Sequence, residues 1–209
     1  MPSYKLRYYP LRGRAEPIRM LFALADVSYE DERIPFEDIP NMLKTAPFNQ
    51  FPVLEMDGTQ IPQTNAILRY LAKQFGYYGS DILEEALVDG FADQVADFVN
   101  AFFPWHMVNA GYIPGDKDAL YKDNFLPARE KYFAIFQKFL KQNSSGFLVG
   151  SKVSFVDLYL ATMVEMLETL TPKPDELFQG FPEIKSHKEK VYALPAIAKH
   201  IETRAADRY

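Results

Sequence analysis

The chain has 209 residues with 28 acidic and 23 basic side chains, a formal charge of −5, and 48% apolar and 15% aromatic content. This composition excludes a disordered chain, which needs few aromatics and high net charge. It also argues against a nucleic-acid binder, which needs clustered Lys and Arg. Cysteine is absent, which removes disulfides, Cys-x-x-Cys redox pairs, thiolate metal sites and cysteine nucleophiles together. The start, Met1 to Arg7, lacks the apolar core of a secretory signal, and no window approaches about 18 continuous apolar residues. A cytoplasmic protein that does not cross a membrane is expected. The densest basic stretch, Lys185 to Lys190, is interrupted by Glu189 and reads as a solvated helix face.

In chain order, Tyr4–Tyr9 is an aromatic-rich strand ended by Pro10. Ala15–Asp26 sets Ile18, Leu21, Phe22 and Ala25 on one helical face, with Pro17 in the first turn, where a missing N–H does no harm. A second strand is expected near Tyr29–Ile34 and a weaker helix over Glu37–Lys44. Two short apolar runs joined by Asp57-Gly58 predict a hairpin from Pro52 to Ile61. Thr64 is then expected to cap a helix carrying Ile67, Leu68, Leu71 and Phe75 at helical spacing. The order β-α-β-α-β-β-α makes a small α/β unit over residues 1–78, whose first two strands should be parallel.

Residues 76–81 read as a linker. Beyond it the chain is helical, over about 82–110, 117–142, 154–170, 182–192 and 195–204, so a second, all-α domain is expected over 82–209. Ser154 and Asp157 form a capping-box-like start, with Asp in place of Glu. His106, His187 and His200 are scattered, match no metal spacing, and read as structural or surface residues.

The stretch Tyr4-Lys5-Leu6-Arg7-Tyr8-Tyr9-Pro10-Leu11-Arg12-Gly13-Arg14-Ala15-Glu16-Pro17-Ile18-Arg19 closely resembles cytosolic glutathione transferases, the sigma class and its nematode relatives above all. Four further matches follow in order: Pro47 to Leu54, Gln63 to Leu71, Gly146 to Gly150, and Val153 to Asp157. The resemblance implies a thioredoxin-like domain followed by an all-helical one. It also implies glutathione as co-substrate, no covalently bound cofactor, and a homodimer with the third and fourth helices at the interface. Arg69 and Asp89 would be cross-subunit partners there.

Such an enzyme must present an ionised sulfur, yet a free thiol has a pKa of about 8.5. It needs no cysteine of its own, because the substrate brings the sulfur. A hydrogen bond donated to the charged form lowers its pKa, and roughly two units require about 2.7 kcal/mol of differential stabilisation. Strand alternation alone leaves Tyr4 and Tyr8 equivalent. Position at the strand's carboxyl end favours Tyr8, and the resemblance puts the catalytic tyrosine there. It also gives Arg14 a supporting catalytic role, whereas Arg12 and Arg19 read as solvated.

For glutathione, the resemblance implies a cis Phe51-Pro52 bond, although X-Pro is cis in only about 5–6% of bonds generally. It further implies contacts from Gln63 and Thr64 at a helix N-terminus suited to a carboxylate, and from Asp97 of a partner subunit. Sigma relatives carry a tryptophan and a lysine for the glycyl carboxylate, where this chain has Ile39 and Leu43. Lys44 and Gln50 are the remaining polar candidates. The electrophile side is expected to draw on Tyr9, Leu11, Gly13, Phe103, Trp105, Tyr159, Met163 and Tyr209. The leading reading is conjugation of glutathione to hydrophobic electrophiles. The alternatives are a glutathione-dependent isomerase or peroxidase, or a carrier of haem or other hydrophobic ligands.

Overall fold

The computed structural model describes residues 3–207. By its contacts the chain divides into two compact units, one reaching to Tyr78 and resuming at Tyr192, the other Gly79–Val191.

In the first unit, strands β1 (Tyr4–Tyr8), β2 (Glu30–Arg33), β3 (Val53–Met56) and β4 (Thr59–Pro62) form one sheet in the order β2-β1-β3-β4. As expected, β1 and β2 are parallel, and the other two pairings are antiparallel, with Leu6 opposite Leu54. The β3–β4 hairpin turns on Asp57 (φ 48°) and Gly58 (φ 82°), the two positive φ values that an Asp-Gly turn supplies.

Helix α1 (Glu16–Ala25) follows β1, and its Ile18, Met20, Leu21 and Phe22 are fully buried. Phe22 stacks on Tyr29 with ring centroids 4.3 Å apart, and meets Tyr4 at 5.4 Å and Phe75 at 5.9 Å. Phe75 closes helix α3 (Thr64–Phe75), which packs on α1. The weak helix expected over 37–44 is a single α-turn, α2 (Ile39–Met42), between two 3-10 turns.

The expected all-α domain ran from residue 82 to the chain end, but the segment from Tyr192 onward groups with the first unit. Its helix α9 (Pro195–Thr203) packs on α1 and buries Ile197.

The second unit holds α4 (Ile82–Asn109), α5 (Lys117–Leu120), α6 (Leu126–Gln142), α7 (Phe155–Leu170) and α8 (Pro182–Tyr192). Phe98 anchors its core, with Phe102, Tyr132, Phe133 and Phe136 at centroid distances of 4.9 to 6.3 Å. Proline inside a helix removes one backbone bond and clashes with the carbonyl a turn earlier, yet α4 runs through Pro104. Asn124 bridges the break: its side-chain oxygen accepts from the Trp105 N–H at 3.2 Å, and its amide donates to the Ala101 carbonyl at 2.6 Å. Asn124 lies in a π-turn, Tyr121–Phe125, that interrupts the single helix expected over 117–142.

The capping box forms as expected: Asp157 accepts from the Ser154 N–H and hydroxyl, from the Leu148 N–H, and pairs with buried His187 at 2.9 Å. His187 therefore leaves the otherwise solvated face of Lys185 to Lys190. Among the described residues, no helix is long and apolar enough to cross a membrane.

Candidate active site

The site grows from the end of β1. Tyr4 and Tyr8 share a strand face, but their surroundings differ. The Tyr4 ring lies among Phe22 and Phe75 in the core. The Tyr8 hydroxyl instead reaches the turn into α1, where its oxygen accepts the backbone N–H of Arg14 at 3.3 Å. Burial raises the Tyr8 pKa above the ordinary phenol value of 10.0, against a downward pull from the Arg14 amide and the charges of Arg14 and Arg19. The phenol is thus a neutral donor at pH 7. Since its oxygen accepts from Arg14, its own proton is available to donate outward.

Gly13 makes that arrangement possible. Its φ is +39°, and a Cβ built on it would lie 2.8 Å from the Tyr8 hydroxyl oxygen. Any side chain there would strain the turn and displace the hydroxyl.

Around the phenol, Tyr9 lies 4.9 Å from the Tyr8 ring and meets Phe51 edge-on at 5.8 Å. The Arg7 guanidinium covers the Phe51 ring at 5.6 Å, donates to Glu32 at 3.0 Å, and reaches Thr45 of the loop before β3 at 3.3 Å. The Phe51-Pro52 bond is cis.

Helix α3 brings its N-terminus to the same turn. Its N-cap is Gln63, not the expected Thr64, and no side chain caps it. Thr64 is the first helical residue, and its hydroxyl donates to the Arg14 carbonyl at 3.5 Å. Uncapped N–H groups at a helix start, together with the positive end of its dipole, suit an anion. Gln63 takes φ 75° and donates its amide to the Gln50 side-chain oxygen at 2.9 Å. Positive φ in a non-glycine residue is a strain of the kind found at ligand clamps.

Models of two families match the chain: the glutathione S-transferase N-terminal domain over residues 4–73 and the glutathione S-transferase C-terminal domain over residues 97–204. "Probable glutathione S-transferase 8" of Caenorhabditis elegans is 43% identical over the full length of both chains. The crystal structure of a monomeric glutathione S-transferase from the hookworm Necator americanus is 45% identical, with a TM-score of 0.93 over 99% of this chain and 100% of that one. A Nu-class enzyme from Haemonchus contortus is 47% identical, with a TM-score of 0.88 over both chains entire. The chain belongs to the glutathione S-transferase family. It is a transferase with glutathione as co-substrate, and its two parts are the thioredoxin-like and helical domains of that family.

The first unit of this transferase gathers Tyr8, Tyr9, Gly13, Arg14, Phe51, Pro52, Gln50, Gln63 and Thr64 around one turn and one helix N-terminus. Leu11 is buried beside them, its carbonyl bound by Arg19 at 3.0 Å. Lys44 sits exposed on the 3-10 turn Leu43–Thr45, with Ile39 and Leu43 half-buried. Asp97 is an exposed residue of α4, and Phe103 on the same helix is 38% exposed. Trp105 is only 1% exposed and lies 4.4 Å from the Phe125 ring, in the packing of the helical unit. Tyr159 and Met163 of α7 are equally enclosed. Tyr209 lies outside the described residues.

Arg19 is the clear correction. Expected as a solvated residue, it is 1% exposed. Its guanidinium donates to the carbonyls of Leu11 (3.0 Å) and Arg12 (3.3 Å), to Glu16 (3.2 Å) and to Asp31 (3.1 Å). The reason is local: the turn after β1 leaves inward-facing carbonyls, and five fixed N–H donors satisfy several at once. Arg7 was also missed, since alternation in a half-buried strand gives no sign of an arginine stacked on a ring. A charged pair three apart, Glu16 and Arg19, beside the apolar stripe of α1 was the one available signal.

Proposed function

We propose that Tyr8 keeps its proton and donates a hydrogen bond from its hydroxyl to the sulfur of bound glutathione, so holding it as a thiolate, with Arg14 supporting that hydroxyl. The carrying observation is the Arg14 amide bonded to the Tyr8 oxygen at 3.3 Å, with Gly13 leaving room for it. A neutral donor aimed at a developing anion favours the charged form. The thiol proton leaves to solvent; the ionised sulfur then forms a bond to the electrophilic carbon, and either the leaving group departs with its electron pair or, in a conjugate addition, the resulting carbanion takes a proton from water. Phe51 and Pro52 pair with the cysteinyl part of the tripeptide, and Gln63 and Thr64 at the α3 N-terminus hold the γ-glutamyl carboxylate. Lys44 and Gln50 serve the glycyl end. In this reading residues 1–78 hold glutathione, and residues 82–209 supply electrophile contacts, foremost the half-exposed Phe103.

The enzyme is proposed to act in the cytoplasm, in detoxification, as a homodimer whose partner subunit contributes Asp97. Exposed apolar side chains at the start of α4 support self-association: Ile82 is 87% and Leu83 71% exposed. The likeness to a Nu-class enzyme supports the nematode side of the sigma-like class assignment.

Conjugation assays with a halonitrobenzene, an endoperoxide and a lipid hydroperoxide decide the chemistry. Conjugate formed from the halonitrobenzene is expected, whereas tight binding of hydrophobic ligands with no turnover of any electrophile would defeat the proposal. Sedimentation at micromolar concentration tests the dimer, and Asp97→Asn should raise the KM for glutathione several-fold.

A further inference from the structure

An ion-pair chain runs from the C-terminal helix to the catalytic turn. Glu16, at the first position of α1, is 2% exposed at its side chain. One of its oxygens accepts from His200 Nε2 and from Arg204 Nη1, both at 3.0 Å, and the other accepts from Arg19 Nη1 at 3.2 Å. That same Arg19 nitrogen donates to the carbonyls of Leu11 and Arg12. The Arg12 carbonyl also takes the N–H groups of Ala15 (3.2 Å) and Glu16 (2.9 Å), which close the turn carrying Gly13 and Arg14. A second tie runs alongside it: Arg19 pairs with Asp31, Asp31 with Arg33 at 2.7 Å, and Arg33 with Asp207.

The links at Glu16 and Arg19 are directional and sheltered from solvent, both side chains being no more than 2% exposed, so they fix position more firmly than exposed pairs do. Burial of Glu16 would raise its pKa, yet its partners hold it at about 2, so the carboxylate stays charged throughout the working range. Each link constrains the next: His200 and Arg204 orient Glu16, Glu16 and Asp31 orient Arg19, and Arg19 holds the two carbonyls from which the turn hangs.

We propose that His200 and Arg204 are positioning residues for catalysis: through Glu16 and Arg19 they set the turn that places the Arg14 amide on the Tyr8 hydroxyl. The last helix is therefore part of the machinery that ionises glutathione, although it touches no reacting atom. This inference rests on the assignment of Tyr8 as thiolate donor. It explains why a segment far along the chain groups with the first unit.

The test is a pH titration of the ultraviolet thiolate absorbance of bound glutathione in four proteins: wild type, Tyr8→Phe, His200→Gln/Arg204→Met, and Glu16→Gln/Arg204→Met. The last double variant removes both charges, so that no unpaired carboxylate is left buried and the fold is kept even if the first double variant loses it. Both double variants should titrate at a pH higher by about half a unit to one unit than wild type. Their kcat/KM for glutathione should fall about three- to ten-fold at pH 6.5 and recover towards wild type by pH 9. Arg204→Lys should restore part of the loss. A merely structural role would lower Tm but leave the bound-thiol acidity unchanged, and that result in either folded double variant overturns the proposal. If Tyr8→Phe shifts the titration and the double variants do not, this inference alone fails. If none of the variants shifts it, the Tyr8 assignment fails as well.

Discussion

The two units both pack apolar cores, and they differ in where their buried charges lie relative to the candidate site. The second is an aromatic and aliphatic core, in which Phe98 meets four other rings and α7 buries most of its length. That unit also buries Arg129, Asp157 and His187, but the buried charges of the first, Arg7, Glu16 and Arg19, lie on β1 and α1, which flank the turn that meets the Tyr8 hydroxyl. Apolar packing is additive and forgiving of direction, whereas charge-assisted hydrogen bonds fix angles. A unit that must hold one hydroxyl against one amide needs the second kind.

Truncating Phe98 to alanine should have the largest effect on stability. A fully buried ring lost from a close-packed cluster costs about 3–5 kcal/mol, read as a lower midpoint in urea unfolding. If the division of labour is right, the folded fraction should still ionise glutathione at the wild-type pH.

The acid limb of stability probes the ionic unit. Glu16 is lowered from its ordinary 4.5 to about 2 in the folded chain: burial opposes this, and the His200 bond and the Arg19, His200 and Arg204 charges outweigh it. The unfolded chain therefore takes up a proton first as pH falls. The resulting stabilisation, about 3 kcal/mol, is complete above roughly pH 5 and lost between about pH 5 and 2. Urea unfolding from pH 7 to pH 3 should show wild type converging on Glu16→Gln. Parallel curves would place the stabilisation elsewhere.

A smaller effect, confined to catalysis, is expected from Gly13→Ala. With φ at +39° and the Tyr8 oxygen 2.8 Å from the new methyl, turnover should fall about ten-fold, or roughly 1.4 kcal/mol. The helical core should be untouched. Wild-type turnover in Gly13→Ala would show that the turn is looser than the geometry requires.

The same contrast explains what the sequence made legible. Periodicity placed the ends of the longer helices to within a residue or two, because burying an apolar stripe depends only on spacing, but it did not show the π-turn at Tyr121–Phe125 or the shortness of α2. The parallel β1–β2 pair and the Asp-Gly hairpin were legible in the same way, whereas the β1–β3 pairing that completes the sheet order carries no local signal. The candidate site was legible only where a motif could be matched, which is how Tyr8, Arg14, Phe51-Pro52 and Gln63 came to be proposed. Spacing did not show that Gln63, rather than Thr64, is the N-cap, because a positive φ in a glutamine has no compositional sign. Nor did it show Arg19 buried, because its partners come from residues 11, 12, 16 and 31 and are joined only in the folded chain. His200 and Arg204 lie 184 and 188 residues from Glu16, a distance over which no local pattern operates. Asn124 repairing the Pro104 break is hidden for the same reason.

The central claim is that one neutral phenol, steadied by the Arg14 amide, keeps a borrowed sulfur ionised. Ultraviolet titration of glutathione bound to wild type and to Tyr8→Phe measures this directly. Wild type should hold the thiolate well below the free thiol's pKa of about 8.5, and the phenylalanine variant should titrate one to two units higher. Identical titrations in two equally folded proteins would contradict the account.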